Sequence, residues 1–136
     1  MDQSFNFANF AGANSLISTV NAANLEGNIL RVCPNRTNNQ GQAWYGNQVQ
    51  VLGFTTTFQF SLNGGAGMFT SHSGFGTQCN IGEGFAFVIQ TDNILASAGI
   101  GPGLGYGDSG SGPAGISNSV AIEFDTVQVT PCYLCY

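Results

Sequence analysis

Glu123 and Asp125 are the two residues whose types and spacing most directly imply chemistry. They sit in Val120-Ala121-Ile122-Glu123-Phe124-Asp125, a largely apolar run that reads as a β-strand. Residues two apart leave the same face of a strand, so the carboxylates would lie about 6 to 7 Å from one another. Like charges at that distance repel, and covering them is costly unless a cation or an arginine compensates. Arg31 and Arg36 are the only Lys or Arg residues in the chain, which makes a bound divalent cation the better partner. Carboxylate oxygens are hard donors that suit calcium, or manganese if an imidazole joins them. The competing arrangement points both acids to solvent and puts Val120, Ile122 and Phe124 against the core.

Other chemistries find less support. A Glu-x-Asp on a strand also occurs in β-sandwich glycosidases, but the next residues are Thr126, Val127 and Gln128, so the further carboxylate such a reaction needs is absent. His72 is the sole histidine and lies in a Gly/Ser-rich stretch with no nucleophile-elbow motif nearby, which argues against a Ser-His-Asp arrangement. Cys132-Tyr-Leu-Cys135 is a lone CxxC, without the second pair a zinc site needs or the βαβ context of a redox motif. The four cysteines, at 33, 79, 132 and 135, allow three disulfide pairings in an oxidising compartment. The chain reads as a non-enzyme.

The elements that must position these residues read as all-β. Short stretches rich in Phe, Val, Ile and Thr alternate with Gly, Asn and Ser clusters, and no segment holds the spacing of a long amphipathic helix. The clearest expected strands are 29–33, 43–51, 53–61, 84–90 and 119–126. Phe54, Thr56, Phe58 and Phe60 would share one face, with Thr55, Thr57, Gln59 and Ser61 on the other. Phe85 to Ile89 is nearly continuously apolar, as in a strand covered on both faces. Two glycine-rich stretches, 63–76 and 99–112, intervene; the first reads as a surface loop and the second as a binding loop. Trp44-Tyr45 reads as core and cross-strand packing.

Composition sets the outer limits. Hydrophobic residues make up 43% of 136, enough for one core, while charged residues make up only 7%, so the polar surface must rest on Asn, Gln, Ser, Thr and Gly. That surface and the sequon Asn35-Arg36-Thr37 suit a secreted or extracellular protein. A net charge of −5 with two arginines excludes phosphate-driven nucleic-acid binding. No apolar run approaches the roughly 20 residues of a membrane-spanning helix.

Taken in order, these pieces resemble the L-type (legume-lectin-like) family. The resemblance runs through Phe5-Asn6-Phe7-Ala8-Asn9-Phe10, Ile29-Leu30-Arg31-Val32, Gln42-Ala43-Trp44-Tyr45, residues 54–60 and Gly84-Phe85-Ala86-Phe87-Val88-Ile89-Gln90. It is most specific at Gly103-Leu104-Gly105-Tyr106-Gly107 followed by residues 118–126. The resemblance implies a jelly-roll (concanavalin-A-like) β-sandwich over residues 1–126 that binds a glycan or glycoprotein with the help of Ca2+, in some members with Mn2+. It implies a sugar-facing carboxylate at Glu83, where the family has Asp-Gly, and a backbone donor at Gly101 or Gly103. It assigns Glu123 and Asp125 to the metal.

After Thr126 the sequence departs from the pattern. The family continues with Asn, Asp and then His; here Gln128 is the nearest counterpart in a Cys/Tyr-rich stretch, 127–136. The expectation is therefore a truncated sandwich whose metal site is incomplete in this chain and whose sheet edges are open to self-association. A shortened module, a fragment and an altered reading frame all fit. The ranked readings are a sugar-binding domain, a self-assembling β-sandwich without a sugar site, and a glycosidase of the same fold.

Overall fold

A computed structural model describes residues 4–36, 38–63, 83–110 and 112–126. These carry six strands and two short 3-10 turns, with no α-helix among them, so the chain is all-β as expected. No helix among the described residues is long and apolar enough to cross a membrane.

The strands form three antiparallel pairs. β1 (Ile17–Asn21), a β-branched run, pairs with β4 (Gly41–Tyr45) from Ile17↔Tyr45 to Asn21↔Gly41. β2 (Asn24–Glu26) and β3 (Ile29–Arg31) form a tight hairpin whose two-residue turn starts at Gly27, φ +61°, a value glycine adopts without steric penalty. The Arg31 Nε–H donates to Glu26 Oε2 at 2.7 Å across this hairpin. That guanidinium, with the Asn24 amide, holds the Glu26 carboxyl below its ordinary range.

β5 (Gly84–Gln90) and β6 (Ser119–Asp125) pair from Gly84↔Asp125 to Gln90↔Ser119. The register puts Phe85, Phe87, Ile89, Val120, Ile122 and Phe124 on one face and Gly84, Ala86, Val88, Ala121, Glu123 and Asp125 on the other. On the first face the Phe85 and Phe124 rings stack with centroids 4.5 Å apart and planes 5° from parallel. Phe60 lies 4.6 Å from Phe85, and Phe58 stacks on Phe87 at 5.7 Å.

The core among the described residues is small and sits where the 96–116 segment meets β4. Ala96, Ala98 and Ile116 are buried, and Trp44 of β4 and Tyr106 pack against them. The Trp44 indole N–H donates to the Ala96 carbonyl at 2.9 Å, which satisfies the one polar atom of a large apolar ring and pins residues 96–107 to β4. Buried Gln42 adds a second tie: its Oε1 accepts from Asn21 at 2.7 Å and its Nε2 donates to the Gly105 carbonyl at 3.2 Å. Trp44 and Tyr45 thus take the packing role expected of them, Tyr45 stacking on Phe5 at 4.0 Å.

Three expectations need correction. The strand expected over 53–61 joins no ladder among the described residues, although its Phe58 and Phe60 do share a side and cover β5–β6. The alternation recorded a packing face; a ladder also requires a neighbouring backbone. The strand expected over 43–51 begins at Gly41 and ends at Tyr45, where the Gly46 N–H closes onto Leu16 O at the end of β1. The competing arrangement of the acids is met only in part: Glu123 and Asp125 are exposed and Phe124 is half-buried, but Val120 and Ile122, which it needs against the core, are 64% and 62% exposed. Among the described residues Cys33 is an exposed free thiol; Cys79, Cys132 and Cys135, its possible disulfide partners, lie outside the described residues.

Candidate functional site

One end of the β5–β6 pair gathers four of the five residues singled out from sequence. Gly84, paired with Asp125, has φ +117°, which an L side chain rarely adopts. A side chain there would also collide with the Phe124 carbonyl, so the position admits only glycine. By simple alternation Glu83 would fall on the aromatic face with Phe85 and Phe87. The positive φ of Gly84 breaks that alternation, and the Glu83 carboxylate instead lies beside Gly101: a side chain on Gly101 would start 3.9 Å from Glu83 Oε1. The Thr126 N–H donates to the Glu83 carbonyl at 3.2 Å and extends the pairing by one step.

Gly101 begins a 3-10 turn, Gly101–Gly103, inside a compact loop. The loop is held by its own backbone: Ala98 N–H to Gly105 O at 3.0 Å, Gly105 N–H to Gly99 O at 2.9 Å, and Gly107 N–H to Gly103 O at 2.7 Å. Glycine is required where the backbone closes tightly; at Gly105, φ +78°, a side chain would run into the Gln42 amide. Leu104 follows at φ +45°, an uncommon value for a residue with a side chain. The two candidate backbone donors separate here. The Gly103 N–H is turned back toward Ile100 O, at 3.4 Å, and the residue is buried near Ser109. Among the described residues the Gly101 N–H has no acceptor.

Glu123 and Asp125 share the loop-side face of β6, both exposed. The Tyr106 hydroxyl donates to Glu123 Oε1 at 2.5 Å, a short charge-assisted bond. This bond raises the Tyr106 phenol above its ordinary pKa, with burial and the Glu123 charge adding to the effect. Arg31 is taken by Glu26, so it does not neutralise the pair. As a donor set the two carboxylates fit a hard divalent cation in kind. They supply only part of the six to eight oxygens calcium takes, and no cluster of three or more His, Cys, Asp or Glu occurs among the described residues. Gln128, the one downstream remnant of the family's metal residues, lies outside the described residues, as does the sole histidine, His72.

Two contributors were not singled out from sequence. Tyr106 was legible only as part of Gly-Leu-Gly-Tyr-Gly; its one signal is that a ring amid glycines has little to pack on within its own loop and must reach another element. Gln42, an ordinary strand amide in sequence, is the buried peg under the loop.

The family model for the legume lectin domain matches residues 2–132 of the chain. Searches of curated proteins and of solved structures found no match.

Proposed function

The chain belongs to the legume lectin domain family, whose jelly-roll β-sandwiches bind carbohydrate rather than catalyse, and from that membership we propose that it is a secreted, calcium-assisted glycan-binding domain. The observation that carries this reading is the approach of the Glu83 carboxylate to Gly101, whose N–H is unused among the described residues. A carboxylate accepts hydrogen bonds from two neighbouring sugar hydroxyls, and a backbone N–H supplies a donor to a third oxygen; both are directional, and the first is charge-assisted. Gly101 serves better than Gly103, because the Gly103 N–H already faces Ile100 O. Glu83 is one methylene longer than the Asp of the family pattern, and the turn at Gly84 brings it to the loop despite that difference.

Glu123 and Asp125 are the side chains of the described residues that would hold the calcium. When bound, the cation would offset their repulsion and stiffen the end of β5–β6 on which Glu83 and the loop converge. The low charged content and the Asn-rich surface, including exposed Asn35 of the sequon, favour an extracellular setting.

A second reading is favoured by one observation. The open apolar face at Val120 and Ile122 suits association with a second copy, giving a self-assembling β-sandwich without sugar binding. Calorimetric titration of calcium into the chelator-treated full chain and its Asp125→Asn variant, followed by a glycan array with and without calcium, separates the two. Saturable calcium uptake lost in the variant, with calcium-dependent glycan capture, is expected. Oligomers that persist in chelator, with no glycan captured in either condition, would select the assembly reading.

A further inference from the structure

Glu123 is the point where the loop and the strand touch through a polar bond, and the group that makes that contact is fixed from several sides. The Tyr106 ring packs on the Ala96, Ala98 and Ile116 cluster, with Ala98 fully buried. Its backbone is clamped as well: the Tyr106 N–H donates to Gly103 O at 2.9 Å, and its carbonyl accepts from the Ile116 N–H at 2.7 Å. Within the same loop the Leu104 N–H donates to Gly101 O at 2.9 Å, so Tyr106 and the proposed sugar donor belong to one hydrogen-bonded unit. A phenol held this firmly acts as a stationary donor, and the flexible partner, Glu123, must conform to it.

We infer that Tyr106 is a positioning residue: its hydroxyl fixes the Glu123 carboxylate through Oε1, leaves Oε2 for a divalent cation, and so joins the Gly101 loop to the occupancy of the metal pair. Oε2 has no protein partner among the described residues. A bond to one oxygen settles the rotation of the carboxylate, and Glu123 would then offer a cation only its other oxygen. Without the hydroxyl the carboxylate is free to turn, and the ordering must be supplied when the cation binds; outer partners of this kind typically contribute 10- to 100-fold to metal affinity. This inference rests on the calcium reading for Glu123 and Asp125, but the latch between loop and strand does not.

Tyr106→Phe removes the hydroxyl and keeps the ring in its packing site, so the test isolates the bond. Two quantities are read on the full chain: calcium affinity by calorimetry, and hydrogen exchange of the Gly101–Gly107 amides in chelator and in calcium. The expected result is roughly 10-fold weaker calcium binding and several-fold faster loop exchange in chelator, with the thermal midpoint little changed. Tyr106→Phe that binds calcium as tightly as the parent, or more tightly, and leaves loop exchange unaltered overturns the inference while the metal reading stands. If the parent takes up no calcium yet Tyr106→Phe still speeds loop exchange, the metal reading and the cation half of the inference fall and the latch survives. No uptake with unaltered exchange overturns both.

Discussion

The two faces of the β5–β6 pair are built from the same two strands by opposite means. One is held by ring stacking: Phe58, Phe60, Phe85, Phe87 and Phe124 touch at several angles, from 5° to 82°. Such contacts are many, individually weak and tolerant of small shifts. The other face is held by directional bonds and by positions that admit no side chain: Gly84 against Phe124 O, Gly105 against Gln42, Tyr106 on Glu123. The difference teaches where precision is kept. The aromatic face provides cohesion and can rearrange; the loop face holds Glu123 through one short bond and closes its backbone at positions where a single added methyl collides.

The largest effect that would sharpen this contrast is expected at Gly84. Gly84→Ala must place a side chain at φ +117° and against a carbonyl, so it should destabilise by about 3 kcal/mol in urea unfolding and abolish glycan capture. A loss under about 1 kcal/mol would mean that the turn relaxes freely and that the loop face is no stricter than its counterpart. On the aromatic face, Phe85→Leu keeps an apolar group of similar bulk in a half-buried cluster, and a cost of about 1 kcal/mol by the same method is expected, with glycan and calcium binding retained. Loss of binding there would break the separation of the two faces.

The smallest effect concerns pH. Tyr106 has its folded pKa raised, chiefly by the bond to Glu123. The stability it contributes is therefore complete below the ordinary tyrosine value of about 10 and fades as pH climbs through the higher folded value. In chelator, the ultraviolet difference titration of the parent against Tyr106→Phe should show a phenol titrating later than ordinary tyrosine. Glu123→Gln should bring that midpoint back toward the usual range.

Much of the strand content was legible because period-2 patterning reports which side of a segment is apolar. The expected strands 84–90 and 119–126 correspond to Gly84–Gln90 and Ser119–Asp125, and Glu-x-Asp placed two acids on one face. The same rule misread 53–61, since alternation is a statement about packing and not about a hydrogen-bonded neighbour. β1 and β2 went unmarked because Ile17–Asn21 and Asn24–Glu26 are short and polar-rich, so little in them alternates. Of the candidate site, residue types were visible and geometry was not. That Glu83 reaches Gly101 depends on one positive φ, that Gly103 is the poorer donor depends on one turn, and that Tyr106 meets Glu123 depends on a contact across 17 positions, none of which a residue pattern encodes.

The pairing of strands also sets an order of events in time. β2 and β3 are joined by a two-residue turn, so they can meet within microseconds of collapse. β5 and β6 are separated by residues 91–118, and their ladder must wait until that whole span has been closed, at an entropic cost offset only by contacts within the span such as Ala98 N–H to Gly105 O and Ile116 N–H to Tyr106 O. The span includes the glycine-rich loop itself. Assembly of the ladder and closure of the loop are thus coupled, and a newly made chain exposes its Phe-rich strands until both are complete.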